Sequence, residues 1–508
     1  MTRRQLANNN KTRSVTEAEP LQARLSLPPP FNWNFLSAMN LTNQAKASVL
    51  SRQYQRGQAL IYGIFVLVGG LAALVFMFNT GQLTEEKTKL VNTADAVAYS
   101  AGVMHARALN FDAYTNRALM ANEVMIAQAV SIASWTAHVQ THTQNVPPLY
   151  CYSMYSVPVA LALIEYIPVC YLLSLPGAQL TASGVDAAVQ HAAQATVAFS
   201  EAAKKDLQLA QSNMAITFIP ARKLLMQQVA DANYIGDGAV KVDTIPITDN
   251  FSLFDGEPFI HAYAGVDRGR FKDATVDAVN RDSFVKQRSW TSANHFPCIF
   301  GTKAEFRRRG GTELIDFDEW KAMDTASLHT WSWHFHFFGP PSCDDNEYVL
   351  GDGTQAASNG SPDDSSASYG NSRSDNPDAS SSASSTDWGY SGLPTFYDLS
   401  GPALSYLSTD PNPRLKFAIR LTRAKGETKT SEGSSGVKPT GRLAIIDGKP
   451  VSDVLAAVAT SEVFFQRPVP RNDGKDELAS LFNPYWQVHL ISTSTADKAF
   501  AMTLGGPR

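Results

Sequence analysis

ALIYGIFVLVGGLAALVFMF, residues 59–78, is the stretch on which the reading of this chain turns. Its 20 nearly uninterrupted apolar positions lie in a window, between Arg56 and Glu85, that holds no charged residue. At about 1.5 Å of rise per residue a helix of this length spans about 30 Å, the thickness of a bilayer core. A single helix also satisfies its own backbone hydrogen bonds in hydrocarbon. The side chains expected to meet the lipid bilayer include Ala59, Leu60, Ile61, Phe65, Leu67, Leu74, Phe76 and Phe78. Gly63, Gly69 and Gly70 give a flat surface on which a second transmembrane helix, including one from another copy, can pack. Arg52 and Arg56 stand at one end, Glu85 and Glu86 at the other. The positive-inside bias therefore places residues 1–57 in the cytoplasm and the rest across the membrane. The alternatives are a cleaved signal peptide and a buried core helix. A secretory apolar region is shorter, about 7–15 residues, and ends in a small-residue cleavage site.

The surrounding composition agrees with an anchor. Residues 1–57 carry eight basic side chains against Glu17 and Glu19, a charge of +6, which leaves −10 for the remainder of a chain whose total is −4. Residues 1–56, rich in Asn, Gln, Ser and Pro, read as a disordered cytoplasmic tail. The length of 508 residues suggests two to four folding units. Four cysteines in an exported region permit two disulfides, and the most local pairings are Cys151–Cys170 and Cys298–Cys343, with four separate buried thiols as the alternative.

Beyond the anchor (57–80), the helical pattern continues over 81–145, where Leu90, Val91, Ala94, Val97, Ala98 and Ala101 keep three-and-four spacing. No proline occurs between Leu41 and Val146, so one long helix, with an interruption near Asn110 as a variant, leaves the bilayer and projects outward. Residues 146–178 are apolar and Pro-rich. They read as a connecting loop; the alternative is a second membrane pass over Val157–Leu175, opposed by Pro158, Glu165 and Pro168. Helix signals return over 179–235, with Val185, Val189, Ala192, Phe199, Ala203, Ala210 and Met214 on a heptad seam that Pro220 should kink or end. The expected partner is the helix behind the anchor, giving an antiparallel helical hairpin.

Residues 236–345 mix short alternating runs with turns and predict an α+β head. Residues 346–394, dominated by Ser, Gly, Asp and Asn, predict a disordered insertion. Residues 395–508 predict a β-rich remainder of the head, with strands in 414–424, 441–447 and 454–468, the last also holding a helix. The predicted fold class is α+β: a single N-terminal transmembrane helix continuing into a long helical hairpin, with a mixed α+β head.

Chemistry is sparse. His329, His334 and His336 lie near Asp324, and His334 and His336 share one strand face, so a two-imidazole metal site competes with a plain aromatic strand. Asp398–Pro402, DLSGP, only partly matches a von Willebrand A metal loop, with proline in place of the second serine. Arg307, Arg308 and Arg309 read as a solvated turn rather than a phosphate site. No Walker loop, GxSxG, HExxH or GxGxxG motif is present. The expectation is a non-enzyme with no catalytic residues, no metal, no cofactor and no nucleic-acid partner.

RGQALIYGIFVLVGGLAALVFMFNTGQLTEEKTKLVNTADAVAYSAG, residues 56–102, resembles the amino-terminal segment of TadE/TadG-like Flp (tight-adherence) pilus assembly proteins. The matching positions are Arg56, Gly57 and Gln58 at the entry, then Asn92 and Asp95. LNFDAYTNRALMANE, with Asn116, Arg117, Asn122 and Glu123, and the distal LFNPYWQVHL, residues 481–490, are similar to a bacterial subgroup of that family. The resemblance implies an inner-membrane component of Flp pilus assembly, with the bulk of the chain periplasmic and with pilins or other assembly proteins as partners. Some relatives are cleaved after a glycine, for which Gly57 is the candidate; Tyr62 stands where a pilin carries Glu, which favours a permanent anchor. Asn116, Arg117, Asn122 and Glu123 offer interhelical or partner contacts, with solvated charges as the plain alternative for Arg117 and Glu123. The rival functions are an envelope receptor for a ligand and, further off, a membrane-tethered metal-dependent hydrolase.

Overall fold

The computed structural model describes residues 56–145, 164–251, 258–294, 297–298, 303–337, 339, 342–360, 362–401, 413–428, 454–475 and 477–504. The tail 1–55, residues 146–163 with Cys151, and the expected strand 441–447 lie outside them. The chain divides into two compact units, residues 1–71 and 72–508. In the first, the described residues are helical, and apolar side chains such as Tyr62 and Val66 are more than 70% exposed.

Helix α1 (Arg56–Asn145) is uninterrupted, including at Asn110. It is not a stalk. Within the second unit it is the spine of the core, with Leu90, Ala94, Val97, Ala101, Leu109, Leu119, Ile126, Val130 and Ala133 all buried. Small side chains at this spacing let other elements approach along almost its whole length. A short helix α2 (Ile167–Leu173) precedes α3 (Ala178–Asn233). Contacts between α1 and α3 run in opposite order: Ala193 and Val197 pack with Ile126–Ala133, Gln211 bonds Thr115, and Met226 and Ala230 pack with Leu90–Ala101.

Two details of α3 differ from the sequence expectation. The helix continues through Pro220, flanked by buried Phe218 and Arg222, which hold the chain in helical track against His105 of α1. Its buried face carries Ala193, Val197, Ser200, Glu201, Lys204, Gln211 and Phe218, offset by about one residue from the predicted seam. Four charged or amide side chains on α3, Glu201, Lys204, Gln211 and Arg222, are buried because each meets a polar partner, which an apolar pattern cannot reveal.

The remaining chain forms three sheets. β1 (Lys241–Thr244) joins a four-stranded sheet, order β1-β9-β10-β11, made with β9 (Leu415–Ala424), β10 (Val454–Phe465) and β11 (Trp486–Ile491). β2 (Ile260–Tyr263) pairs β8 (Phe396–Leu399) in a two-stranded ribbon, and α4 (Gly269–Val279) follows β2. A five-stranded sheet, order β3-β4-β5-β6-β7, contains β3 (Trp290–Ala293), β4 (Lys303–Ile315), β5 (Glu319–His334), β6 (Ser342–Ser358) and β7 (Asp387–Gly389). The first two sheets each combine strands from 236–345 with strands from 395–508, so those two segments form one interleaved body. Residues 90–101 of α1 pack on the four-stranded sheet and residues 126–133 on the five-stranded sheet. Gly353 permits the second contact: a Cβ there would sit 2.4 Å from both the Ser134 carbonyl and the His138 backbone N of α1.

The segment 346–394 is ordered, contrary to its composition. It supplies most of β6, then α5 (Ser372–Asp375), α6 (Pro377–Ser382) and β7, and it buries Tyr369, Ala379, Trp388 and Tyr390. Short polar side chains serve here as ligands: Asp364 pairs with Lys321 and Arg373, and Asn376 donates to the Arg307 carbonyl. A few large aromatics spaced through a Ser/Gly background suffice to pin it. Residues 454–465 are strand throughout rather than part helix, with β-branched and aromatic residues paired to β9 and β11. Helix α7 (Thr495–Thr503) closes the described chain, capped by Ser494.

Candidate functional site

Of the residues singled out for family resemblance, Asn116 and Arg117 meet the 481–490 segment. Two motifs far apart in the chain, 109–123 on α1 and 481–490 leading into β11, clasp each other. Asn110 Nδ2 donates to the Trp486 carbonyl at 3.0 Å, and the Trp486 N–H returns a bond to Asn110 Oδ1 at 3.0 Å. Asn116 is fully buried; its Nδ2 donates to the carbonyls of Leu481 and Tyr397, both at 2.7 Å, and its Oδ1 accepts from Gln211 at 2.8 Å. Arg117 Nε donates to the Phe482 carbonyl at 2.6 Å, and its guanidinium also bonds Asn483. One amide side chain at Asn116 thus ties α1, α3, β8 and the C-terminal motif together. Burying such a group is favourable only when its bonds are met, and here three are.

About two turns further, Glu123 is buried under the five-stranded sheet. Its carboxylate accepts from Trp320 Nε1 at 2.8 Å and Tyr390 Oη at 2.7 Å, and it lies 2.6 Å from Lys204 Nζ. Lys204 is also 2.7 Å from Glu201, donates to the Gly392 carbonyl at 2.9 Å and sits over the Tyr390 ring. Burial, then the neighbouring carboxylate, pushes the Tyr390 hydroxyl well above its usual range, so it remains a donor. Glu123 is therefore neither solvated nor free for a partner. Asn122 bonds the Ala118 carbonyl of its own helix, and Asn92 is exposed. Asp95 is half-buried, and burial raises its carboxyl.

Asp112, inside the same motif, escaped the sequence reading. It is fully buried, and its carboxylate oxygens have no hydrogen-bond partner among the described residues. Burial, then nearby Asp398, pushes its carboxyl well above the ordinary range. Asp398, the first residue of DLSGP, accepts from the backbone N–H groups of Leu399 and Leu481 and pairs with Arg270. It is structural, and Pro402 lies outside the described residues.

The histidine and arginine clusters also resolve into internal contacts. His329 is buried between Asp345, 3.1 Å from Nδ1, and Asn376, 3.1 Å from Nε2. His334 and His336 lie at the exposed end of the β5–β6 pair, near Asp344 and Ser342 respectively. Among the described residues no three His, Cys, Asp or Glu side chains converge to hold a metal ion. Arg307, Arg308 and Arg309 lie in β4 rather than in a solvated turn, paired with Glu305, Asp324 and Asp375. Burial alone would raise Asp324, but Arg288 and Arg308 hold it well below the carboxylate range. Cys298 is bonded to Cys343, and Cys170 is disulfide-bonded as well.

Toward the anchor, Glu86 pairs with Arg423 at 2.9 Å, so charges just past the apolar run are fastened to the four-stranded sheet. Among the described residues, one helix is long and apolar enough to cross a membrane, the one containing 59–78. No curated protein and no solved structure matches the chain. Residues 57–108, the apolar run and the first core-packed turns of α1, match the model of the Flp pilus-assembly TadE/G-like family, Tad.

Proposed function

We propose that this chain is a non-enzymatic, single-pass scaffold of a Flp-type pilus assembly or related secretion machine. In this reading it is anchored in the inner membrane by residues 59–78, with its bulk in the periplasm. The observation that carries the proposal is the family match over 57–108, which covers both the anchor and the turns of α1 that pack into the head. The bonded cysteines suit an oxidising compartment.

Helix α1 runs without a break from the apolar residues into the core of the second unit, which supports a role as a tethered scaffold. The clasp and the buried Glu123–Lys204 pair spend the family motif on holding that helix, which leaves pilin or partner binding to the outer surface. In-frame deletion in the native host, with surface pili counted by electron microscopy, tests the proposal: pili disappear and return on complementation. Undiminished piliation would overturn it.

A further inference from the structure

Among the described residues the seam between α1 and α3 is open on one side. Two hollows of about 420 and 460 Å³ follow each other along it, the first between Met125–Ile132 and Val189–Thr196, the second between Trp135–Thr143 and α2 with the start of α3. On α1 the open side carries Met125, Gln128, Ile132, Trp135 and Val139, at steps of 3, 4, 3 and 4. On α3 it carries Val185, Val189, Ala192, Thr196 and then Phe199, at steps of 4, 3, 4 and 3. These are heptad stripes, and Val185, Val189, Ala192 and Phe199 belong to the seam the sequence predicted. α3 turns a different face to α1, so that stripe lacks a covering helix among the described residues: Val185 is 50% and Phe199 67% exposed. Two adjacent helices with parallel heptad stripes are half of a four-helix bundle.

We infer that a second copy of this chain covers this seam, its α1 and α3 packing on the same pair in a two-fold symmetric four-helix bundle. A single foreign helix would fill the groove yet leave the outer stripe at Phe199 bare, whereas a like pair matches both stripes. The lining suits a homotypic contact: Asp282 is its one charge, and Gln128 already holds it at 2.9 Å. Six side chains, Ile132, Trp135, Leu172, Leu175, Val185 and Phe199, are 40–67% exposed. At roughly 200 Å² for each fully exposed residue, they present on the order of 600 Å² of apolar surface, the size that marks an interaction site. With the small residues between them this approaches the about 800 Å² that each partner buries in a standard interface. Anchoring both copies in one membrane raises their effective concentration.

The test is sedimentation equilibrium of the full chain in detergent, for wild type and the V185D/F199D double variant. Both substitutions are at exposed positions, so thermal melting should be unchanged. Wild type should be dimeric and the variant's dimerisation at least tenfold weaker. A monomeric wild type, or a folded variant that dimerises as well as wild type, overturns the inference; the latter result would point to the Gly63–Gly70 surface. Should the variant fail to fold, two differently tagged wild-type chains co-expressed in one membrane decide the matter. Co-purification that falls when Ile132→Asp is introduced in both supports the seam, and its absence, or its persistence in that variant, sinks the idea.

Discussion

Replacing Glu123 by alanine should loosen α1 from the five-stranded sheet more than almost any other single change. The substitution leaves the fully buried Lys204 with Glu201 as its sole carboxylate and orphans two buried donors, Trp320 Nε1 and Tyr390 Oη. Breaking a buried ion pair from one side costs about 3–5 kcal/mol, and each stranded donor about 1–3 kcal/mol if unrelaxed. These losses share one cavity and do not add, so about 5 kcal/mol is the reasoned total. Lys204→Met should cost less, because Glu123 keeps its two neutral donors and the methionine stem keeps the packing. Melting of the full chain in detergent, followed by tryptophan fluorescence, reads the effect because Trp320 is a direct partner. A fall on the order of 5–10 °C is expected for Glu123→Ala. A midpoint within a degree of wild type would refute the claim that this pair holds the helix to the sheet.

Two further outcomes follow from the same packing. His105 and His142 are held neutral, burial first and then Arg222 and Arg308 respectively lowering each to about 3, and His138 is depressed as well. Below the unfolded value near 6.5 the unfolded chain takes up protons that these sites refuse, so stability should fall as pH drops from 7 to 5, by about 2 kcal/mol for His142 alone. Buried Asp112 and Asp398, with raised carboxyls, oppose part of that loss. Melting against pH should be shallower for His142→Phe; an identical slope would exclude His142 as a source. Gly353→Ala should cost about 3 kcal/mol, since its Cβ meets α1 backbone at 2.4 Å, and a wild-type melting point would show that the helix can shift away.

The apolar helix, its long continuation and the family likeness of 57–108 were legible because they rest on local signals: an apolar run, three-and-four spacing and a specific string of residue types. What escaped was anything that depends on a distant partner. Glu123 and Arg117 look like surface charges until Trp320, Tyr390 and Phe482 are placed beside them. Lys204 and Gln211 hide the true inner face of α3 in the same way; of the visible heptad, Val185 and Phe199 are exposed whereas Met214 packs against the core. The Ser/Gly-rich segment looked disordered because composition weighs every residue equally, whereas Tyr369, Trp388 and Tyr390 pin it. Asp112 carried no signal beyond its place in the motif.

The proposed scaffold role requires the head to be held at the membrane by residues 59–78. Its most direct measurement is surface piliation in cells whose only copy has residues 59–78 replaced by a cleavable export signal, so that a released, folded head reaches the periplasm. The account predicts no pili, with the head present at normal level and protease-resistant. Normal piliation from the released head would contradict it.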